Sequence, residues 1–121
     1  MSTEQNLITI TRQADADLSA AQYRFVKQTA TGTVELCDSA GEIALGVLQN
    51  DPEATQAATV AVGGVVRVAA GAAVTIGAEV MTDATARAIT ATATNVALGE
   101  ALSGAGAAGN IISVLLRTRS L

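Results

Sequence analysis

Glycine interrupts the β-forming runs of this chain about every ten positions, and this spacing constrains the fold more than any other feature, with 11 glycines in 121 residues. Alanine is abundant, but it alternates with threonine and valine, whose branched side chains favour strands. Helical stripes are not sustained over three turns, whereas short alternating runs are frequent. The pattern predicts an all-β fold: a small β-barrel or β-sandwich-like domain of short strands, with an extended N-terminal arm and at most one or two short helices.

Ten segments match the strand pattern. They are residues 7–11, 23–29, 33–37, 43–48, 58–62, 65–69, 79–83, 87–92, 96–102 and 111–118. Glycine-containing stretches at 29–33, 38–42 and 62–65 lie between strands and predict tight hairpins in which glycine adopts positive φ. Strands this short and this evenly spaced are typical of a small barrel or sandwich.

Two segments are candidates for short helices. Residues 51–58 read DPEATQAA, in which Asp51 can cap the helix and Pro52 suits its first position. Residues 14–22 are either a second short helix or an irregular connector.

Two stretches of the chain share one pattern: an apolar strand containing a glycine, a loop of small or polar residues, and a returning strand. Aligned on the strand glycines, the matched pairs are Gly46 with Gly99, Ala44 with Ala97, Leu45 with Leu98, Val60 with Val114, and Val62 with Leu116. A glycine inside an apolar strand marks a bulge, a sharp bend or a close approach of backbones. Two such sites would let a short sheet curl and close. The alternative is that a chain rich in Ala, Gly and Val resembles itself by chance.

Small side chains also dominate the loop at 103–109, which reads SGAGAAG. They allow close backbone approach, either in a tight hairpin or against a neighbouring subunit. We therefore predict structural roles for Gly46, Gly99, Gly104 and Gly109.

The core must be thin, because Tyr23 and Phe25 are the only aromatic residues. Small side chains bury little apolar area, at about 25 cal/mol per Å², so oligomerisation would add the stability that a monomer lacks. The length predicts one domain, which we place at 21–121 behind an N-terminal arm or connector at 1–20.

Composition argues against several function classes. The net charge is −4 and the cations are scattered, so nucleic-acid binding is not expected. The most apolar window, 59–80, contains glycines and Arg67, so no membrane span is predicted, and the N-terminus does not resemble a signal peptide.

Chemistry is equally restricted. The chain has no histidine, which removes the commonest general base and metal ligand. The carboxylates are scattered, and Cys37 in the run TVELC is predicted to be a buried small hydrophobe. We expect no enzyme activity, no cofactor and no metal.

The N-terminal segment could act in binding. A polar stretch precedes LITIT, a β-prone run that contains Leu7, Ile8 and Ile10 and is followed by Arg12. Such an arm can add as a strand to the sheet edge of another protein. The alternative is an ordinary first strand of the domain.

Three stretches together resemble the small capsid decoration proteins of tailed bacteriophages, also called capsid cement or head-stabilising proteins. They are EIALGVL at 42–48, VAVGGVVRVAAGAAVTIGAEVMTDATARA at 60–88, and VALGEALSGAGAAGNIISVLL at 96–116. The first forty residues match less clearly.

The resemblance implies a β-barrel-like homotrimer that binds the outer capsid surface of the virion, at threefold and quasi-threefold positions, and ties neighbouring major capsid protein subunits together. It also implies assembly in the cytoplasm of the bacterial host. Leu7, Ile8, Ile10 and Arg12 would then form a capsid-docking arm. The alternatives are a tail- or baseplate-associated virion protein and a small barrel that binds a ligand.

Overall fold

Nine antiparallel β-strands form one sheet in the computed structural model, which describes residues 5–92 and 95–120, with side chains for 8–92 and 95–117. The strands are β1 (Gln5–Gln13), β2 (Phe25–Gln28), β3 (Val34–Leu36), β4 (Gly46–Leu48), β5 (Ala57–Ala69), β6 (Glu79–Thr82), β7 (Ala88–Thr90), β8 (Val96–Ala101) and β9 (Ile111–Ser120). The sheet curls into a half-barrel, and the described ranges contain no helix. The all-β prediction is confirmed.

Strand β5 organises the sheet. The order is β3-β2-β4-β5-β9-β8-β6-β7, and β1 also pairs with β5. Ala61 of β5 pairs with Thr9 of β1 and Val47 of β4, so β1 and β4 lie on opposite edges of β5. Val65 pairs with β1 and with β9, so β9 follows β4 along the edge opposite β1.

The structure has one strand, β5, where the sequence predicted two strands and a hairpin at 62–65. Gly64 does adopt a positive φ of 88°, but the chain bends there and continues as the same strand. In a straight strand Ala61 would lie on the face opposite Val66 and Val68, yet all three belong to one core cluster. The bend therefore turns the second half of β5 over. The hairpin prediction was wrong because β1 and β9 hold the chain extended on either side of the bend.

The doubling of the chain is present in the structure. Repeat 1 consists of β1 to β4 and the first half of β5, and repeat 2 consists of the second half of β5 and β6 to β9. Three hydrogen bonds of repeat 1 have equivalents in repeat 2. The Tyr23 amide donates to the Leu48 carbonyl as the Gly77 amide does to that of Ala101, and the Asp15 amide donates to the Val34 carbonyl as the Gly71 amide does to that of Ala88. The Thr59 amide donates to Asn50 Oδ1, and the Ser113 amide donates to Ser103 Oγ. Positive φ also recurs in the pairs Tyr23 and Gly77, Gly32 and Ala86, and Thr55 and Gly109.

Neither candidate helix forms: residues 51–58 make a turn, and residues 14–22 are the irregular connector that was the alternative there. At 51–58 the Gln56 amide donates to the Glu53 carbonyl, but Thr55 adopts a φ of 69°, which ends the turn before a helix can propagate. The loop at 14–22 is tied to this turn instead, because the Leu18 amide donates to the Pro52 carbonyl at 2.9 Å.

Each repeat has core positions that correspond to those of the other. Those of repeat 1 are Ala14, Leu18, Val26, Val34, Leu48, Ala58 and Val60, and the equivalents in repeat 2 are Ala70, Val74, Val80, Ala88, Ala101, Ile112 and Val114. At two of these matched positions, the large and the small side chain are interchanged between the repeats. Leu48 and Ala58 correspond to Ala101 and Ile112, so each repeat has one large and one small residue there.

Residues of repeat 1 also complete the core of repeat 2. Phe25, Cys37 and Val47 are buried in the same cluster as Val66 and the repeat 2 core. Burial raises the pKa of the Cys37 thiol to about 12, so the predicted buried hydrophobe is present. Repeat 1 therefore has its own core cluster and also contributes to that of repeat 2, and Leu36 packs against both clusters.

The strand glycines permit close packing of backbones. A Cβ at Gly46 would overlap the Ala61 carbonyl oxygen, and one at Gly99 would overlap the Leu115 carbonyl oxygen. Neither glycine has positive φ, so their role is close approach. In the 103–109 loop, a Cβ at Gly104 would lie 3.2 Å from the Val74 carbonyl oxygen, whereas Gly109 has a φ of 93°.

Candidate docking surface

Strand β1 places the predicted arm at the edge of the sheet. It pairs with β5 from Gln13 back to Gln5, with a bulge next to Ile8. Within the described strands its other edge has no partner. An open edge of this kind presents backbone donors and acceptors to an additional strand.

The four predicted arm residues have different environments. Ile8 is 60% exposed and lies over Gly63, where an added Cβ would come within 3.3 Å of Ile8 Cδ1. Arg12 is also exposed, whereas Ile10 is partly buried against the core of repeat 1. The backbone of Leu7 belongs to β1, but its side chain lies outside the described residues. Ile8 and Arg12 are thus exposed, whereas Ile10 contributes to the core of repeat 1.

A shallow apolar groove opens where β4 and β9 diverge along β5. It encloses about 70 Å³ and includes Phe25, Leu45, Val62 and Leu116 in its lining. Ile43, at 65% exposure, lies beside it. This groove is large enough for one aliphatic side chain, and it was missed at the sequence level because its walls come from both repeats.

A charged cluster flanks the groove on the side of repeat 1. Lys27 Nζ lies 2.7 Å from Asp38 Oδ1 and 3.1 Å from Glu42 Oε2. Hydrogen bonds to Asp38 and Glu42 raise the pKa of Lys27, and the bond from Lys27 lowers the pKa of Asp38. Partial burial raises the pKa of Glu42, but hydrogen bonds from Ser39, Lys27 and Asp38 outweigh it, and the net pKa is lowered.

A second set of charges flanks the groove on the side of repeat 2. Arg117 at its rim pairs with Glu100 and lies 3.7 Å from Glu79. Glu100 is equivalent to Val47 of repeat 1, and Glu79 is equivalent to Phe25. In repeat 1 these two apolar residues are covered by repeat 2. Repeat 2 therefore presents a charged surface where repeat 1 presents an apolar one.

The described residues do not group into a recognisable catalytic or metal centre. Within 5–92 and 95–120, no three metal-ligating side chains come together. No helix in these ranges is long and apolar enough to cross a membrane. The features left to explain are an open strand edge, an apolar groove and exposed aliphatic side chains, which are features of a binding surface.

The family model described as phage cement protein matches residues 1–117. This chain belongs to the phage cement protein family. A comparison with curated proteins finds no match. Among solved structures, the N base of head fibre gp8.5 of bacteriophage phi29 has a TM-score of 0.72 at 16% identity, covering 92% of this chain and 94% of that one. At this identity the likeness shows a shared fold.

Phage cement proteins are capsid-associated structural proteins, so this chain is one as well. The family places it on the virion capsid, which agrees with the resemblance seen in the sequence. In this cement protein β1, the groove and the exposed aliphatic residues are the surfaces that can meet other proteins. Only β1 was singled out from the sequence, because a β-prone run behind a polar start is visible without the fold.

Proposed function

We propose that the chain binds the outer surface of a phage capsid as a homotrimer and stabilises contacts between major capsid protein subunits. Membership of the phage cement family carries the proposal. The open edge of β1, with Ile8 and Arg12 exposed, supports it and is the surface we assign to capsid docking.

The docking mode follows from the chemistry of an edge strand. A strand of the capsid protein can pair with the open edge of β1, where main-chain hydrogen bonds supply affinity and side chains supply specificity. Ile8 offers an apolar contact and Arg12 a cation for a capsid carboxylate. Three such contacts on one trimer bind together, so avidity exceeds the affinity of each.

Shell binding by point variants tests this assignment. Truncating the arm is unsuitable, because β1 is paired with β5 and Ile10 packs on the core. We expect Ile8→Gln combined with Arg12→Gln to lose co-sedimentation with purified empty shells of the phage that encodes the chain. The oligomer and its melting temperature should stay unchanged, because both side chains are exposed.

Thr31→Gln is the matched control, since Thr31 is exposed in the turn between β2 and β3, and this variant should bind as the wild type does. Full binding by the Ile8 and Arg12 variant would refute docking through β1. Failure of the wild type to bind shells would refute the function itself. Electron microscopy showing the protein on the tail would favour the tail-associated alternative.

A further inference from the structure

The repeat provides a comparison within one molecule. Equivalent positions share a backbone, so a difference in their side chains is not demanded by the fold. Three exposed positions of repeat 2 carry large aliphatic side chains where repeat 1 has polar or small ones. The pairs are Ile76 (67% exposed) with Gln22, Leu102 (43%) with Gln49, and Ile111 (39%) with Ala57.

These aliphatic residues lie side by side. The Leu102 amide donates to the Ser113 carbonyl at 2.8 Å, and Ile111 is two residues from Ser113, on the same face of β9. The Gly77 amide donates to the Ala101 carbonyl, so the segments that carry Ile76 and Leu102 are adjacent, and Ile76 Cγ1 lies 3.6 Å from the position of a Cβ at Gly104. The same arrangement in repeat 1 brings two glutamines together. The row is therefore a feature of the surface of repeat 2 alone.

The loops next to these positions also differ between the repeats, in their charge. In repeat 1 they carry four exposed carboxylates, and the equivalent positions of repeat 2 are all glycine or alanine. The pairs are Asp15 with Gly71, Asp17 with Ala73, Asp51 with Gly104, and Glu53 with Gly106. At Gly71 the space of a side chain is taken by the carboxylate of Asp83, which pairs with Arg87. Within the described side chains, none of the four carboxylates forms an ion pair. We name these regions the acidic end of repeat 1 and the uncharged end of repeat 2, the latter comprising the aliphatic row and the loops at 70–77 and 103–110.

We propose that the uncharged end of repeat 2 is the subunit contact of the oligomer, packing against the same ends of the other copies of this chain around the threefold axis. This rests on the proposed function and identifies the surface that joins its subunits. The charges of the two ends indicate which of them packs against another copy of this chain. Three acidic ends would bring twelve carboxylates together, whereas three uncharged ends bury aliphatic area without desolvating a charge from these loops.

The small side chains of the loops suit the same contact. A Cβ at Gly106 would meet nothing within 4 Å, so the fold of one chain does not require glycine there. Absence of side chains lets the backbone of a second copy approach closely. This also accounts for the run SGAGAAG, whose glycine at 106 has no packing role within the subunit.

Arg67 supplies a polar group at the margin of this end. It pairs in register with Ser113 and so lies across β9 from Leu102. Its Nε is buried and has no hydrogen-bond partner among the described residues. Because this donor is buried inside the subunit, a second copy packing on the surface does not reach it.

Sedimentation velocity of full-length variants tests the contact. Ile76→Gln with Leu102→Gln installs the side chains that repeat 1 already has at these positions, so folding should be unaffected. We expect the wild type to sediment as an oligomer and the variant as a monomer, with a subunit dissociation constant raised about 100-fold. Ile43→Gln makes the same substitution at a residue that is 65% exposed elsewhere, and it should leave the oligomer intact.

A second variant adds charge. Ala73→Asp with Gly106→Glu installs the carboxylates of repeat 1, and we expect dissociation that high salt partly reverses. Thr31→Glu, in the exposed turn after β2, is its control.

A monomeric wild type would overturn the proposal, as would folded Ile76 and Leu102 variants that stay oligomeric. If those variants remain oligomeric but lose shell binding, the uncharged end contacts the shell and the proposal is again overturned. A dissociating variant, with a wild type that fails to bind shells, would support this contact while refuting the capsid function.

Discussion

At the residue scale, the decisive feature is the pair of strand glycines. Gly46 and Gly99 each face a backbone carbonyl of the neighbouring strand, where a Cβ has no room. A side chain there would push two paired strands apart. Sequence comparison within the chain found both residues, because each lies inside an apolar run at the same place in its repeat. It did not reveal why glycine is needed there, since close approach of backbones and positive φ both favour glycine and look alike in a sequence.

We expect Gly46→Ala and Gly99→Ala each to destabilise the protein by about 1–3 kcal/mol, as overpacking does in a filled interior. Chemical denaturation of the purified variants would measure the loss. The control is Gly106→Ala, where an added Cβ meets nothing within 4 Å and stability should hardly change. Unaltered stability of both strand variants would show that the strands separate at little cost.

At the element scale, the two repeats have the same strand arrangement but place their large and small core side chains at different positions. Leu48 and Ala58 of repeat 1 correspond to Ala101 and Ile112 of repeat 2. We expect Leu48→Ala to cost about 2–5 kcal/mol as a cavity and Ala58→Ile to cost about 1–3 kcal/mol as overpacking. The double variant should cost less than their sum, because it recreates the packing of repeat 2.

A double-mutant cycle from denaturant unfolding measures this coupling. Strict additivity would mean that the two positions do not share space, contrary to the repeat geometry. Leu48→Ala with Val34→Ala is the comparison, because it removes bulk at two sites without restoring it.

The loop at 38–42 gives a pH dependence. The pKa of Glu42 is lowered from its usual 4.5 in the folded state, so its contribution to stability is fully present above that value. It is lost as the pH falls through the lowered folded pKa. The advantage of the wild type over Glu42→Gln should therefore shrink as the pH falls below 4.5 and disappear below the lowered folded pKa.

Melting temperatures between pH 3 and 7 would show this convergence, and Glu53→Gln, at an exposed residue without an ion pair, should track the wild type throughout. High salt should reduce the effect of Glu42→Gln, because the cluster is largely solvated. A pH-independent difference would assign the effect to the hydrogen bonds of Glu42 rather than its charge.

Most elements were readable from the sequence, and the exceptions have physical causes. Alternation and β-branching located nine strands, since these patterns report directly on half-buried sheet. The predicted helix at 51–58 does not form because Thr55 adopts a left-handed conformation, which the neighbouring residues do not predict. The hairpin at 62–65 failed because neighbouring strands decide whether a glycine bend reverses the chain. The aliphatic row at Ile76, Leu102 and Ile111 became visible only when the structure aligned the two repeats.

At the scale of the whole molecule, the contribution of repeat 1 to the core of repeat 2 predicts a single unfolding transition. Cys37 belongs to repeat 1 but is buried in the cluster that holds the core of repeat 2. We expect Leu48→Ala and Ile112→Ala, one in each repeat, to accelerate alkylation of Cys37 in proportion to their loss of equilibrium stability. Native-state labelling with iodoacetamide would measure the rates, with the wild type as reference. Acceleration by one variant alone would show that the repeats open separately.

The overlap of the repeats in β5 has a consequence for how such chains change length. Since β5 serves both units, a recombination event that joins the codon of Val60 to the codon following Val114 removes one unit and leaves every remaining strand whole. The reverse exchange adds a unit in register. A change in the number of units therefore needs no linker, but a chain with a single unit would expose Phe25 and Val47, which repeat 2 covers here.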